Sequence, residues 1–454
     1  MLKLYNTFTR EIEDFKPIKE KSVGLYSCGP TVYWYQHIGN LRTYVFADIL
    51  KRVLESKHLK VKHIINVTDV GHLTSDADTG EDKMERAAAK EGKTAKQISK
   101  FYLKAFQDDF QKLNIRKPNI WAKATEHIKE QIVLIKKLEE KGFTYKTSDG
   151  IYFDTSKIKD YGKMARLNKE GLEAGKRIEL KEKKNITDFA LWKFSEQPGQ
   201  RQQEWKSPWG VGFPGWHIEC SAMSMKYLGK NFDIHTGGED HISIHHTNEI
   251  AQSEAATGKK FVNFWLHGAF LNYRGEKVSK SKGGLFTIAE LEQKGFLPLA
   301  FRYLCLTAHY RSPLEFSLES LENAKLSYVR LKNIIGENRD DKKVNTKYLE
   351  DFNRAISEDL DMPKALAILW NLVRDRGAQG KIKTIKEMDK VLGLDLLKKT
   401  KIKISSEVSK LVAEREIARE KKDFTRADEL RQKIESLGFS VKDTEDGAEV
   451  KIKT

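Results

Sequence analysis

The sequence predicts an α/β fold: a doubly wound parallel sheet, interrupted by an insertion and followed by an α-helical C-terminal domain. Three observations predict it. Short β-branched runs closed by glycine alternate with helix-periodic stretches on both sides of an irregular middle segment. That segment is rich in turns and tryptophan. Beyond about residue 315 the chain is charged and helix-periodic.

Taken in order, SVGLYSCG (22–29) is an apolar run closed by glycine, a strand and its turn. LRTYVFADILKRVLESK (41–57) repeats apolar residues at helical spacing, and VKHIINVTD (61–69) is a second strand. Strand, glycine turn, helix and strand open a doubly wound (Rossmann-like) sheet. A long helical stretch is expected over about 83–114. From about 145 to 215, TSDGIYFDTSKIKDYGK and EWKSPWGVGFPGW read as an insertion between two halves of the sheet. The sheet resumes at KNFDIHTGG (230–238), passes through a helix in SIHHTNEIAQSEAATG (243–258) and continues in KFVNFWLHGAF (260–270). A charged loop, YRGEKVSKSKGG (273–284), follows. Everything after about residue 315 is expected to be helical. In FTRADELRQKIESLG, Ala427, Leu430, Ile434 and Leu437 share one helix face, and Gly438 suits a C-terminal stop.

The 454 residues suffice for two to four well-buried domains. No apolar run approaches a membrane span and the N-terminus lacks a signal-peptide core, so a cytoplasmic protein with no membrane partner is expected. Three cysteines in so long a chain argue against a disulfide framework, which leaves each as packing or chemistry. Lys and Arg outnumber Asp and Glu 81 to 65, a net charge of +16. Such a balance suits a polyanionic partner, although charge alone weighs equally for a lysine-rich background.

Two patterns suit a nucleotide. In His37-Ile38-Gly39-Asn40, a histidine, a glycine and a short polar residue begin a helix, where the dipole favours anions. Alone this is a weak signal. Far downstream, Lys277-Val278-Ser279-Lys280-Ser281 places two lysines among small hydroxyl residues on a glycine-flanked loop, able to close over a triphosphate.

A metal-type set is also present. Cys28 follows the first strand, and PGWHIECSAMS supplies Cys220. His245 and Glu249, four apart on a helix, share a face. Two thiolates, an imidazole and a carboxylate suit tetrahedral zinc. Each also has a plainer reading as a buried thiol or a helix-surface group. His246 is read as pointing elsewhere on the helix, a second choice as ligand, and Cys305 as core.

The two nucleotide patterns resemble the His-Ile-Gly-His and Lys-Met-Ser-Lys-Ser signatures of class I aminoacyl-tRNA synthetases, with Asn40 and Val278 as departures. CGPTVY, NVTDVG, DFALWK, SPWGVGFPGWHIECSAMS, HHTNEIAQS, KVSKSKGG, HYRSPLEFS and KDFTRADELRQKI extend the likeness over nearly the whole chain, to the cysteinyl-tRNA synthetases. The resemblance implies one zinc per chain on Cys28, Cys220, His245 and Glu249. It implies ATP with Mg2+ against His37, Gly39, Asn40, Gly237, Gly238, Asp240, Lys277, Lys280 and Ser281, with His37, Asn40, Lys277 and Lys280 catalytic. L-cysteine would meet Gly29, Thr68, Trp216 and Asp240. Thr247 stands where the family usually has glutamate. The implied activity is ligation of cysteine to tRNA(Cys) by a monomer. The implied division is a catalytic domain over 1–115 and 226–300, a connective insertion over 116–225, a stem-contact region over 301–345 and an anticodon-binding domain over 346–454. Two rivals are a cysteine-activating ligase that uses an aminosugar acceptor, and a non-catalytic zinc protein that binds nucleic acid.

Overall fold

A computed structural model of the chain describes residues 1–70, 82–166, 182–273, 275–277, 285–398, 406–437, 439–444 and 447–452. Its centre is a five-stranded, wholly parallel sheet. Across the sheet the strands run Val262–Gly268, Phe232–Gly238, Ser22–Ser27, Lys60–Val67 and Ile120–Lys123. The order reverses between Ser22–Ser27 and Phe232–Gly238, and a crevice opens beyond the carboxyl ends of such a pair. Side chains alternate across the sheet as the pleat requires. Leu25, Ile65 and Ile234 enter one core with the helix Ile38–Ser56, and Tyr26 and Ile64 enter another with Cys28, Cys220 and Met223.

The insertion is a five-stranded antiparallel sheet, ordered Thr144–Lys146, Gly150–Phe153, Phe189–Phe194, Gly210–Pro214 and Trp205–Ser207. It has its own apolar centre of Phe153, Phe189, Leu191 and Trp192. It returns to the parallel sheet through the helix Trp216–Leu228. The interval 116–225 therefore holds an edge strand of the parallel sheet, Ile120–Lys123, as well as the insertion.

The first core is continuous from Leu2 to Leu396, so the helices Thr346–Ser357, Met362–Arg374 and Lys381–Leu392 share it with the sheet. A buried polar knot joins these parts. Asp48 accepts from Arg52 Nε at 2.7 Å and from Arg302 Nη2 at 2.6 Å, while Arg302 Nε donates to the carbonyl of Leu392 at 2.8 Å. A smaller unit with separate apolar clusters is built from Ser406–Glu420, Phe424–Ser436 and a terminal hairpin.

Two expectations differ from the structure. The stretch 83–114 is two helices, Lys83–Glu91 and Ala95–Lys112, because Gly92 takes a left-handed conformation (φ 62°) and Thr94 caps the second. The C-terminus is not helical throughout. Phe439–Thr444 pairs antiparallel with Gly447–Ile452, where apolar and polar residues alternate with period two.

Candidate active site

The crevice at the strand reversal is a cavity of about 360 Å³. The helix Ile38–Ser56 begins at its wall. His37 caps that helix, its Nδ1 accepting the Asn40 N–H at 3.4 Å, and the Ile38 N–H is anchored on the Phe286 carbonyl at 2.8 Å. His37, Gly39 and Asn40 all line the cavity, so the first nucleotide pattern stands at a helix N-terminus facing open space. Gly238 and Asp240 line it too, at the end of the neighbouring strand. A Cβ at Gly238 would meet Asp240 Oδ1 at 2.5 Å. Gly237 packs behind the wall, where a Cβ would meet His241 Nδ1 at 2.6 Å and the His246 ring at 2.7 Å.

Gly29, Trp216 and Asp240 are cavity residues, as the cysteine-site reading requires. The Gly29 N–H donates to Asn66 Oδ1 at 2.6 Å. Thr68 is not among the lining residues. Its hydroxyl donates to Glu219 Oε2 at 3.0 Å, a buried carboxyl that burial, then the Cys220 charge, pushes well above its usual range. In the second nucleotide pattern only the backbone of Lys277 is described, paired with Asn272. Lys280 and Ser281 lie outside the described residues.

At the base of the cavity Cys28, Cys220, His245 and Glu249 converge, one donor atom from each lying within 4.8 Å of all the others. All four are buried. Cys28 directly follows the strand Ser22–Ser27. Cys220 lies in the second turn of Trp216–Leu228, and His245 and Glu249 share one face of His245–Thr257. Tetrahedral zinc with ligands at about 2.0–2.3 Å gives ligand–ligand edges of roughly 3.3–3.8 Å. Cys28 Sγ to Glu249 Oε1 is 4.0 Å and His245 Nε2 to Glu249 Oε1 is 3.1 Å, so the set fits with small adjustments.

The electrostatics fit as well. Burial raises the Cys220 thiol, but hydrogen bonding with Cys28 and the neighbouring His245 bring it down to about 6. Burial works against a charged His245, yet its contacts with Cys220 and Glu249 lift it to about 10. Glu249 is held at about 2, where His235 and His245 outweigh burial. Cys28, in contrast, is pushed well up by burial and then by Cys220. The Cys220 thiolate and the Glu249 carboxylate thus flank a protonated His245 in a dry pocket, and a divalent metal there would displace the protons of His245 and Cys28.

A second donor set shares two of these residues: Cys28, His235, His246 and Glu249. His246 therefore does not point away, as its place on the helix suggested. Its Nε2 lies 3.1 Å from Cys28 Sγ, and its Nδ1 lies 2.7 Å from His267 Nε2. His267 Nδ1 in turn lies 2.8 Å from Thr7 Oγ1. His235 Nε2 meets Glu249 Oε2 at 3.0 Å, and His217 Nδ1 meets His245 Nδ1 at 3.0 Å. These groups orient the donors, which metal sites require beyond the ligands themselves. Sequence reasoning named His246 only as a second choice and missed Thr7, His217, His235 and His267, although the crowding of six of the twelve histidines between 217 and 267 was a usable signal. Thr247 instead bonds the backbone of Ile242 at 2.7 Å, and Cys305 is core, its thiol pushed by burial to about 12.

Comparison with known proteins places the chain in a family. Residues 14–326 match the family model described as tRNA synthetases class I (C) catalytic domain, and residues 403–450 match that of the cysteinyl-tRNA ligase anticodon binding domain. Cysteine–tRNA ligase 1 of Burkholderia lata is 51% identical over 450 residues, covering 98% of this chain and 96% of the relative. Cysteine–tRNA ligase of Treponema denticola is 45% identical over 480 residues, covering 97% and 98%. The structure of Mycobacterium tuberculosis methionyl-tRNA synthetase with methionyl-adenylate superposes with a TM-score of 0.57 at 14% identity, over 82% of this chain and 88% of that one, a likeness of fold. Matched over more than half its length by the catalytic-domain model and almost end to end by these relatives, the chain belongs to the class I tRNA synthetase (C) family.

Proposed function

We propose that the chain is a cysteine–tRNA ligase. The carboxylate of L-cysteine attacks the α-phosphorus of ATP, and pyrophosphate leaves. The terminal ribose hydroxyl of tRNA(Cys) then attacks the acyl carbon of the adenylate, and AMP leaves. One observation carries the reading: a thiol-rich donor set forms the base of the same cavity whose wall is a helix N-terminus capped by histidine.

No side chain serves as a covalent nucleophile. His37 and Asn40 bind the phosphates at the helix N-terminus, and Gly39 lets the backbone approach. Lys277, Lys280 and Ser281 meet the oxygens of the triphosphate, which itself would carry the Mg2+, and neutralise charge as pyrophosphate departs. Gly237, Gly238 and Asp240 shape the adenosine and amino-group end. Gly29, Trp216 and, through Glu219, Thr68 shape the cysteine end.

Cys28, Cys220, His245 and Glu249 would hold zinc. Bound there, zinc supplies a soft Lewis acid that favours the substrate's thiolate over a serine hydroxyl. A pocket built on shape alone separates such pairs by only about a hundredfold. With zinc, ATP, cysteine and tRNA as its partners, the chain works as a cytoplasmic monomer. Among the described residues no helix is long and apolar enough to cross a membrane. The division into a catalytic domain (1–115, 226–300), insertion (116–225), stem-contact region (301–345) and anticodon-binding domain (346–454) belongs to the same reading.

The test is charging of a cysteine-tRNA transcript with labelled cysteine and ATP, with AMP counted in the same reaction. Charged tRNA with stoichiometric AMP is expected. Cysteine-dependent turnover without charged tRNA would replace the reading with a small-molecule ligase. Zinc binding with no turnover would leave only a nucleic-acid-binding role.

A further inference from the structure

Beside the cavity mouth runs a groove of about 480 Å³ along the helix Lys83–Glu91. Lys83, Arg86 and Lys90 line it from one face of that helix. Opposite stand Tyr33 and Trp34, which with Lys83 also line the catalytic cavity, so the two spaces are continuous.

The groove's margin carries large aromatic rings in water: Trp34 is 45% exposed, Tyr35 40% and Phe101 46%. They do not seal one another off. Trp34 leans on Tyr102 at 5.6 Å and 37°, but it meets Tyr35 at 5.8 Å and 78° and Tyr35 meets Phe101 at 6.1 Å and 74°, so each ring keeps a water-facing side, covered only by a mobile lysine where one lies over it. Ammonium groups alternate with the rings. Lys83 lies 5.9 Å from the Tyr33 centroid, Lys90 5.7 Å from that of Trp34 and Lys93 5.0 Å from that of Phe101. Stacking faces interleaved with cations are what a single-stranded polynucleotide needs, because every base has a π-face and every link a negative charge. Duplex bases are already stacked and offer no such faces.

We propose that this groove receives the single-stranded 3′ end of the tRNA acceptor and leads it into the catalytic cavity. The inference rests on the cysteine–tRNA ligase reading and adds to it the path of the acceptor. Charge complementarity and the shared cavity wall favour this occupant over a protein segment.

The experiment uses the full chain with Arg86→Glu plus Lys90→Glu, and separately Phe101→Ala, all exposed positions outside the cavity wall. Cysteine-dependent pyrophosphate exchange should stay within twofold of the parent for both variants. Charging kcat/KM should fall, at least about fivefold for Phe101→Ala, the loss of one base stack. For the charge reversal, the salt slope of tRNA binding should flatten by about 1.4, at roughly 0.7 per single-strand phosphate contact. A tRNA lacking its unpaired 3′ nucleotides should bind parent and variants alike. Equal weakening of the truncated tRNA would assign the groove to the duplex stem and overturn the proposal. So would unchanged charging in both variants. Cysteine activation by the parent with no charging at all would instead sink the ligase reading itself.

Discussion

Thr7 is not among the residues that line the cavity, yet its replacement by valine should loosen the metal. A neutral imidazole has one N–H, and burial first, then neighbouring histidines, push both His246 and His267 well below their ordinary range. The chain Thr7–His267–His246–Cys28, with links of 2.8, 2.7 and 3.1 Å, can then run in only two directions. A metal-bound Cys28 thiolate has no proton to give, so it accepts from His246, which accepts from His267, which accepts from the Thr7 hydroxyl. Thr7→Val keeps the volume and the backbone bond to Trp265 at 2.8 Å but removes the last donor. His267 Nδ1 is left buried without a partner, a cost of about 1–3 kcal/mol. Loss of a group that orients ligands typically weakens metal binding ten- to a hundredfold, or ~1.4–2.7 kcal/mol. Competition against a chromophoric chelator, with zinc as the probe, reads this directly. Thr7→Ser should restore affinity. Valine within twofold of the parent, or serine as weak as valine, would refute the relay.

Three further substitutions test other parts of the fold. At Gly29 a Cβ would lie 1.6 Å from the Asn66 carbonyl oxygen, so Gly29→Ala must displace the turn that carries Cys28. Misplacement on that scale should cost pyrophosphate exchange about a hundredfold, read with cysteine and ATP alone. Asp48→Asn leaves two buried guanidiniums short of a counter-charge and should cost about 3–5 kcal/mol in urea unfolding. Burial opposes the Asp48 charge, but Arg302 and Arg52 hold its pKa below the ordinary value. Its contribution is therefore present at neutral pH and lost as pH falls through that value, so the variant's acid limb should be flatter. Asp109 is the opposite case, its carboxyl pushed by burial to about 7 despite Lys112. The parent loses stability as pH rises from about 4 through 7, and Asp109→Asn should gain progressively over that window, levelling off at about 4 kcal/mol at most. Melting curves at pH 4 and pH 8 that show no difference in gain would count against it.

Four strands of the parallel sheet were legible because they carry dense β-branched and aromatic residues between turn signals, whereas the short edge strand Ile120–Lys123 was not. The four donors Cys28, Cys220, His245 and Glu249 stood out because cysteine is scarce and the last two share a helical face. His246 was misjudged for a physical reason. Adjacent helix positions diverge by about 100°, but long imidazoles and a donor held 3.1 Å away at Cys28 bring it back into the cluster. His235 gave no local signal at all. It sits mid-strand, and only the neighbouring helix brings Glu249 to it. The break at Gly92 was visible in composition but hidden by good helix formers on both sides, Ala87 to Lys90 and Ala95 to Ile98.

The donor set also explains what the insertion must preserve. It separates strands Ile120–Lys123 and Phe232–Gly238 in sequence, and it hands the chain back through Gly215, which caps the helix carrying Trp216 and Cys220. Gly215 donates to the Leu191 carbonyl at 2.9 Å, and a Cβ there would lie 2.0 Å from the Ala190 carbonyl oxygen. The insertion's sheet thus sets the start of that helix by backbone contact, and Cys220 follows five residues on (220 − 215). Gly215→Ala should shift the helix relative to Cys28 and Glu249, which belong to other elements. Zinc affinity should fall and the KM for cysteine should rise, each about tenfold or more, because both depend on that relative placement. The KM for ATP should move little, since His37, Gly39 and Asn40 hang on the helix Ile38–Ser56. If the KM for ATP rose in step with the loss of zinc and cysteine binding, or none of the three changed, Gly215 would not be the joint through which the insertion sets the donor geometry.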